Sequence, residues 1–98
     1  MGNQYGVTNP ATGERLREYP TIGDDALADA LDRVDRAHRA WSGTTSLQER
    51  AALVRQVGEL HADRRQDLAQ IIVREMGKPI TQALGEIDYS ASIYAYYA

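Results

Sequence analysis

The sequence predicts an α+β arrangement: an N-terminal β-hairpin over about 5–22, followed by about four α-helices. Three features point to it. A turn-forming cluster, Asn9-Pro10-Ala11-Thr12-Gly13, separates two short extended stretches. From Asp24 onward the apolar residues recur at helical spacing. Ser46 and Glu49, then Gly77-Lys78-Pro79, punctuate that helical run with recognisable starts and stops.

In the hairpin, Asn-Pro opens the turn and Gly13 supplies a positive φ. Leu16, Tyr19 and Ile22 alternate imperfectly with Arg15, Arg17 and Glu18, and Pro20 makes the second strand an edge. Two strands alone are marginal in water, so the hairpin is expected to lie against helices or join a larger sheet.

The first helix is predicted over about 24–42, with Leu27, Leu31, Val34, His38 and Trp41 down one face. Asp24 and Asp25 suit its cap and first turn, and Gly43 its exit. The pairs Asp29/Arg33, Asp32/Arg36 and Asp35/Arg39 mark the solvated face.

Ser46 and Glu49 form a capping box that starts a second helix over about 46–63. Leu53, Val57, Leu60, Leu68, Ile71, Ile72 and Met76 carry an apolar stripe that the polar run Asp63–Asp67 interrupts, so a separate third helix is expected over about 65–76. Gly77 ends it, and Pro79 opens a fourth over about 79–98.

The fourth helix places Ile80, Leu84, Ile87, Ala91, Tyr94 and Ala98 on one face and Tyr89, Ile93 and Tyr96 or Tyr97 on another. A helix apolar nearly all round belongs in an interior or at an interface. With no Gly, Asn or basic residue to satisfy its last carbonyls, Ala98 is not expected to be a designed terminus. A free-standing reading also exists: a small helical interaction module that uses the Tyr89–Tyr97 surface.

Composition excludes several classes. The chain has 98 residues, 11 Lys and Arg against 14 Asp and Glu, and a net charge of -3, with the two signs interleaved. That gives no basic patch for nucleic acid. Without cysteine there is no disulfide framework, thiolate metal site or cysteine nucleophile within these residues. No apolar run is long enough to span a membrane, and the start has neither a basic nor an apolar leader region; Gly6 also sits where a myristoylation motif wants Ser or Thr. A cytoplasmic protein is expected.

His38 and His61 lie on separate helices and read as packing or surface residues rather than zinc ligands. No glycine pattern makes a phosphate-binding turn. Ser90 and Ser92 have no neighbouring base. Glu75, at a helix C-terminus where the dipole disfavours an acid, calls for a positive partner such as a cation.

The segments NPATGE (Asn9–Glu14), REMGKP (Arg74–Pro79) and YYA (Tyr96–Ala98), with the intervening ERAALVRQVGEL stretch, resemble the N-terminal portion of the aldehyde dehydrogenase superfamily, in a form most similar to its succinate-semialdehyde dehydrogenase branch. The resemblance implies a segment packed on an NAD- or NADP-binding domain. In that family a cysteine thiolate attacks the aldehyde, hydride passes to the cofactor, and a glutamate serves as general base for thioester hydrolysis. None of the catalytic or nucleotide-binding segments has a counterpart here, so the resemblance implies a fragment that is inactive alone, binds no cofactor alone, and has the rest of a dehydrogenase subunit, in a homo-oligomer, as its partner. It further implies a monovalent-cation site that takes the main-chain carbonyls of Val7 and Thr8 and the carboxylate of Glu75. Gly85 and Tyr89 correspond to positions near the mouth of the family's substrate tunnel.

Overall fold

The computed structural model describes residues 4–98. The order is β1 (Gln4–Thr8), β2 (Arg15–Pro20), α1 (Asp24–Ser42), α2 (Leu47–Asp63), α3 (Arg65–Met76) and α4 (Ile80–Tyr97). The expected hairpin and four helices are present, with the strands and the second and fourth helices bounded a residue or two inside or outside the sequence estimate.

β1 and β2 pair antiparallel, with Gly6 opposite Glu18 and Val7 opposite Arg17. The register slips between Val7 and Thr8, because Thr8 faces Arg15 and Leu16 is left as the extra residue of a bulge. The slip reverses side-chain parity, so Arg15 and Glu18 come to one face. There the Arg15 guanidinium crosses Gly6 to reach Glu18 Oε1 at 3.3 Å and the Thr8 hydroxyl at 3.0 Å. A Cβ on Gly6 would collide with that guanidinium. In the connecting turn, Gly13 has φ 75° and donates to Asn9 O at 2.8 Å, while Asn9 Oδ1 accepts from Ala11 N at 3.0 Å.

The Ser46/Glu49 box is formed in both directions: Glu49 N donates to Ser46 Oγ at 3.1 Å and Ser46 N donates to Glu49 Oε2 at 2.7 Å. Those bonds also hold the Glu49 carboxyl below its usual range. The polar run breaks the helix at Arg64 alone. α3 ends at Gly77 in the left-handed conformation, φ 74°.

The core is small. Ala69, Ala83 and Ile87 are buried, with Leu68, Ile72, Val73 and Leu84 packed around them where α3 meets α4. α4 also lies across α2, where buried Gly58 faces Tyr94 and the Ala91 carbonyl.

α1 has the predicted span and stripe but leaves the stripe open. Its stripe does not form a core: none of its residues is buried, and Leu31 and Val34 are 62% and 66% exposed. Beyond its elbow with α2 it lies against no other described helix or strand. The elbow itself is well bonded: the Thr44 and Thr45 hydroxyls donate to Ala40 O and Trp41 O, each at 2.7 Å, and the Arg50 guanidinium binds Thr45 O at 2.7 Å beneath the Trp41 ring. The cap residue of α1 is Gly23, not an Asp; Asp24 and Asp25 occupy the first turn. Of the three predicted ion pairs only Asp35–Arg39 closes, at 2.9 Å, among the described residues. Exposed pairs gain too little over solvation to fix two long side chains.

The result is a thin sheet of helices, 48 × 40 × 15 Å, with a radius of gyration of 17.8 Å against about 13 Å for a compact chain of this length. A helix with its side chains is about 10–12 Å across, so the short dimension holds little more than one layer. Domains bury apolar faces between two layers. A single layer leaves its broad faces uncovered, and the accessible surface is 7844 Å² where about 5,600 Å² is usual for this mass.

Candidate functional site

The end of β1 and the C-terminal end of α3 come together, since β1 packs on α3 and on no other described helix. Their flanking residues also meet. A Cβ built on Gly77 would stand 2.7 Å from Pro10 Cγ, so the proline ring fills the place a side chain would take. Val7 and Thr8 lie just before Pro10, and Glu75 just before Gly77. Val7 is half-buried; Thr8 and Glu75 are exposed, and Glu75 joins no ion pair among the described residues.

Two main-chain carbonyls and one carboxylate are hard oxygen donors that suit an alkali cation better than a transition metal. No group of three or more His, Cys, Asp or Glu converges as a metal set among the described residues. The donor chemistry is of the kind that suits a weakly held monovalent ion.

Gly85 and Tyr89 stand one turn apart on the outward side of α4. Gly85 has no atom near its Cβ position, and Tyr89 is 70% exposed. The two share a face with each other and with no titratable cluster, and they lie on a different element from Val7, Thr8 and Glu75.

Charged pairs fix α4 around these residues. Arg65 grips Asp88 with two bonds, Nε to Oδ1 at 2.6 Å and a terminal nitrogen to Oδ2 at 2.8 Å, which holds the Asp88 carboxyl below its ordinary range and raises Arg65. Lys78 pairs with Glu86 across the α3–α4 junction. His61 Nδ1 lies 2.8 Å from Val57 O, and its ring packs 4.9 Å from that of Tyr94, a packing role. The Ser92 hydroxyl donates to Tyr89 O at 2.6 Å, so it is bound to its own helix. A shallow polar hollow along α1, between Asp29, Asp32, Arg33 and Arg36, has walls from one helix and no nucleophile.

The profile of the aldehyde dehydrogenase family matches residues 1–98. The chain belongs to the aldehyde dehydrogenase family. It is 39% identical over 97 residues to the NADP-dependent succinate-semialdehyde dehydrogenase of Escherichia coli, covering 99% of this chain and 20% of that enzyme. It is equally 39% identical over 97 residues to a glutarate-semialdehyde dehydrogenase of Pseudomonas putida, with the same coverage. The crystal structure of succinic semialdehyde dehydrogenase from Streptococcus pyogenes with NADP+ superposes with a TM-score of 0.86 at 35% identity, over 95% of this chain and 20% of that one. The aldehyde dehydrogenase segment here thus spans about one-fifth the length of the relatives it matches.

The helix crossings hold the residues that sequence reasoning missed. Gly58, Ala69 and Ala83 make the helix crossings, and small residues carry no hydrophobic signature. Their only signal is position: each lies on the inner side of a helix where a larger side chain would hold the partner away.

Proposed function

We propose that this chain is the N-terminal part of an NAD(P)-dependent aldehyde dehydrogenase subunit that oxidises a short semialdehyde, succinate semialdehyde foremost, to the carboxylic acid. The observation that carries this reading is the match over 97 of the 98 residues to semialdehyde dehydrogenases of about five times the length. The bound NADP+ of the Streptococcus pyogenes relative favours NADP as the cofactor. The cofactor supplies hydride acceptance. The described residues contain no phosphate-binding turn and no thiol, so nucleotide binding and attack on the aldehyde belong to other segments of the subunit.

This chain's own share is then structural. Its uncovered face supports the rest of the subunit as its partner, within a homo-oligomer. The Val7 and Thr8 carbonyls and the Glu75 carboxylate contribute to a monovalent-cation site, and Gly85 and Tyr89 border the entrance to the aldehyde channel. The family match leaves the free-standing interaction module without support.

The test is a chimera in which this chain replaces the matching fifth of the Escherichia coli enzyme. NADPH formation from succinate semialdehyde by the folded chimera is expected, and none from the 98-residue chain alone. A folded chimera without activity, or turnover by the 98 residues themselves, would overturn the reading.

A further inference from the structure

The hairpin and the helices meet at one place. β2 pairs only with β1, β1 touches α3 alone among the described helices, and every residue from Pro10 to Asp29 is exposed. The hairpin's side-chain bonds, Asn9 to Ala11, Thr12 to Glu14, and Arg15 to Thr8 and Glu18, all stay within it. The helices are likewise tied to one another, through the Ala69–Ala83–Ile87 core, the Gly58 crossing and Arg65–Asp88. No described side-chain hydrogen bond or salt bridge joins the two groups.

What joins them is the packing of β1 on α3 and, just beyond both elements, the seat of Pro10 on Gly77. The ring approaches so closely that a Cβ would lie 2.7 Å from Pro10 Cγ and 3.6 Å from Pro10 Cβ. Both partners are rigid. Pro10 sits in a turn braced by Gly13 N to Asn9 O and Ala11 N to Asn9 Oδ1, and Gly77 is the left-handed cap of α3, bonded to Val73 O at 3.0 Å.

We propose that Pro10 and Gly77 form a latch, and that the hairpin opens from the helices as one unit when the latch is lost, while α2, α3 and α4 stay folded. Cooperative units separate where contacts are fewest, and here the boundary runs only through the packing of β1 on α3 and the Pro10–Gly77 seat beside it. A detached two-stranded hairpin has little stability of its own, so its amides report the latch directly.

Amide hydrogen exchange of the 98-residue chain tests this. In the parent, the β1 and β2 amides should exchange together and faster than those around Ala69 and Ala83. Gly77→Asn keeps the left-handed cap, which Asn tolerates, but drives a Cβ into the proline ring; hairpin exchange should rise about tenfold with α3 and α4 little changed. Pro10→Ala removes Cγ and should itself speed the hairpin. In that background the Asn Cβ meets only an ordinary contact, so Gly77→Asn should add less than about twofold. Equal effects of Gly77→Asn in both backgrounds, no effect on the hairpin, or acceleration of hairpin and helices by one common factor would each overturn the proposal.

Discussion

Gly58 on α2 lies directly against Tyr94 on α4: a Cβ on the glycine would stand 3.0 Å from Tyr94 Cβ and 3.4 Å from the Ala91 carbonyl. The glycine weakens its own helix by about 1 kcal/mol relative to alanine, and in return lets the two backbones approach. Gly58→Leu should therefore force the helices apart and cost about 1–3 kcal/mol in urea unfolding. Gly58→Ala should come out near neutral, since its helical gain offsets the tight contact. Equal effects of the two substitutions would remove the crossing from the explanation.

Arg65 and Asp88 make the one bidentate bridge between α3 and α4 among the described residues. Asp88 has a carboxyl pKa below its unfolded value, so its contribution is present above that value and is lost as pH falls through the folded pKa. Both groups are exposed, so the loss is modest. Thermal unfolding followed from neutral to acidic pH should show the Arg65→Met chain losing less than the parent, and high salt should narrow the gap between them. A parallel decline in both would place the acid sensitivity elsewhere.

The Ser46 cap offers a cleaner magnitude. Ser46→Ala removes the acceptor for Glu49 N and should cost about 1 kcal/mol, visible as a lower urea midpoint. Glu49, its pKa lowered first by the Ser46 backbone N–H, loses its contribution on acidification in the same sense as Asp88. Glu49→Gln keeps an acceptor for that N–H but no charge, so its stability should vary less with pH than the parent's. If Ser46→Ala leaves the midpoint unchanged, the box is ornamental.

Local chemistry made much of this fold legible. Ser46 and Glu49 announce α2, the Asp63–Asp67 run marks the break before α3, Gly77 and Pro79 divide α3 from α4, and Asn9 to Gly13 spell the turn; each signal acts within a few residues and needs no partner. The bulge at Leu16 was not readable, because it depends on which residue of β1 ends up opposite Arg15. What covers α1 was not readable for a physical reason. Leu27, Leu31, Val34 and Trp41 do share one face, but a helical stripe states only that something covers it and never what. Among the site positions, Val7 and Thr8 precede Pro10 and Glu75 precedes Gly77, and the Pro10–Gly77 contact joins residues 67 positions apart and leaves no trace in periodicity.

The stripe on α1 supplies the sharpest test of the proposed function, because its cost depends on context. In the 98-residue chain Leu31 and Val34 are already 62% and 66% exposed, so Leu31→Ser and Val34→Ser remove little burial and should each change stability by less than about 0.5 kcal/mol. The uncovered parent should bind a hydrophobic dye and self-associate, and both substitutions should weaken that binding while helix content by circular dichroism holds nearly steady. In the chimera with the Escherichia coli remainder, the proposed reading puts the same face under a second layer. There each substitution should leave a buried void and an unpartnered hydroxyl, and cost about 2–5 kcal/mol. A small effect in both settings would mean that α1 stays uncovered in the subunit, and the docking half of the proposed function would fall.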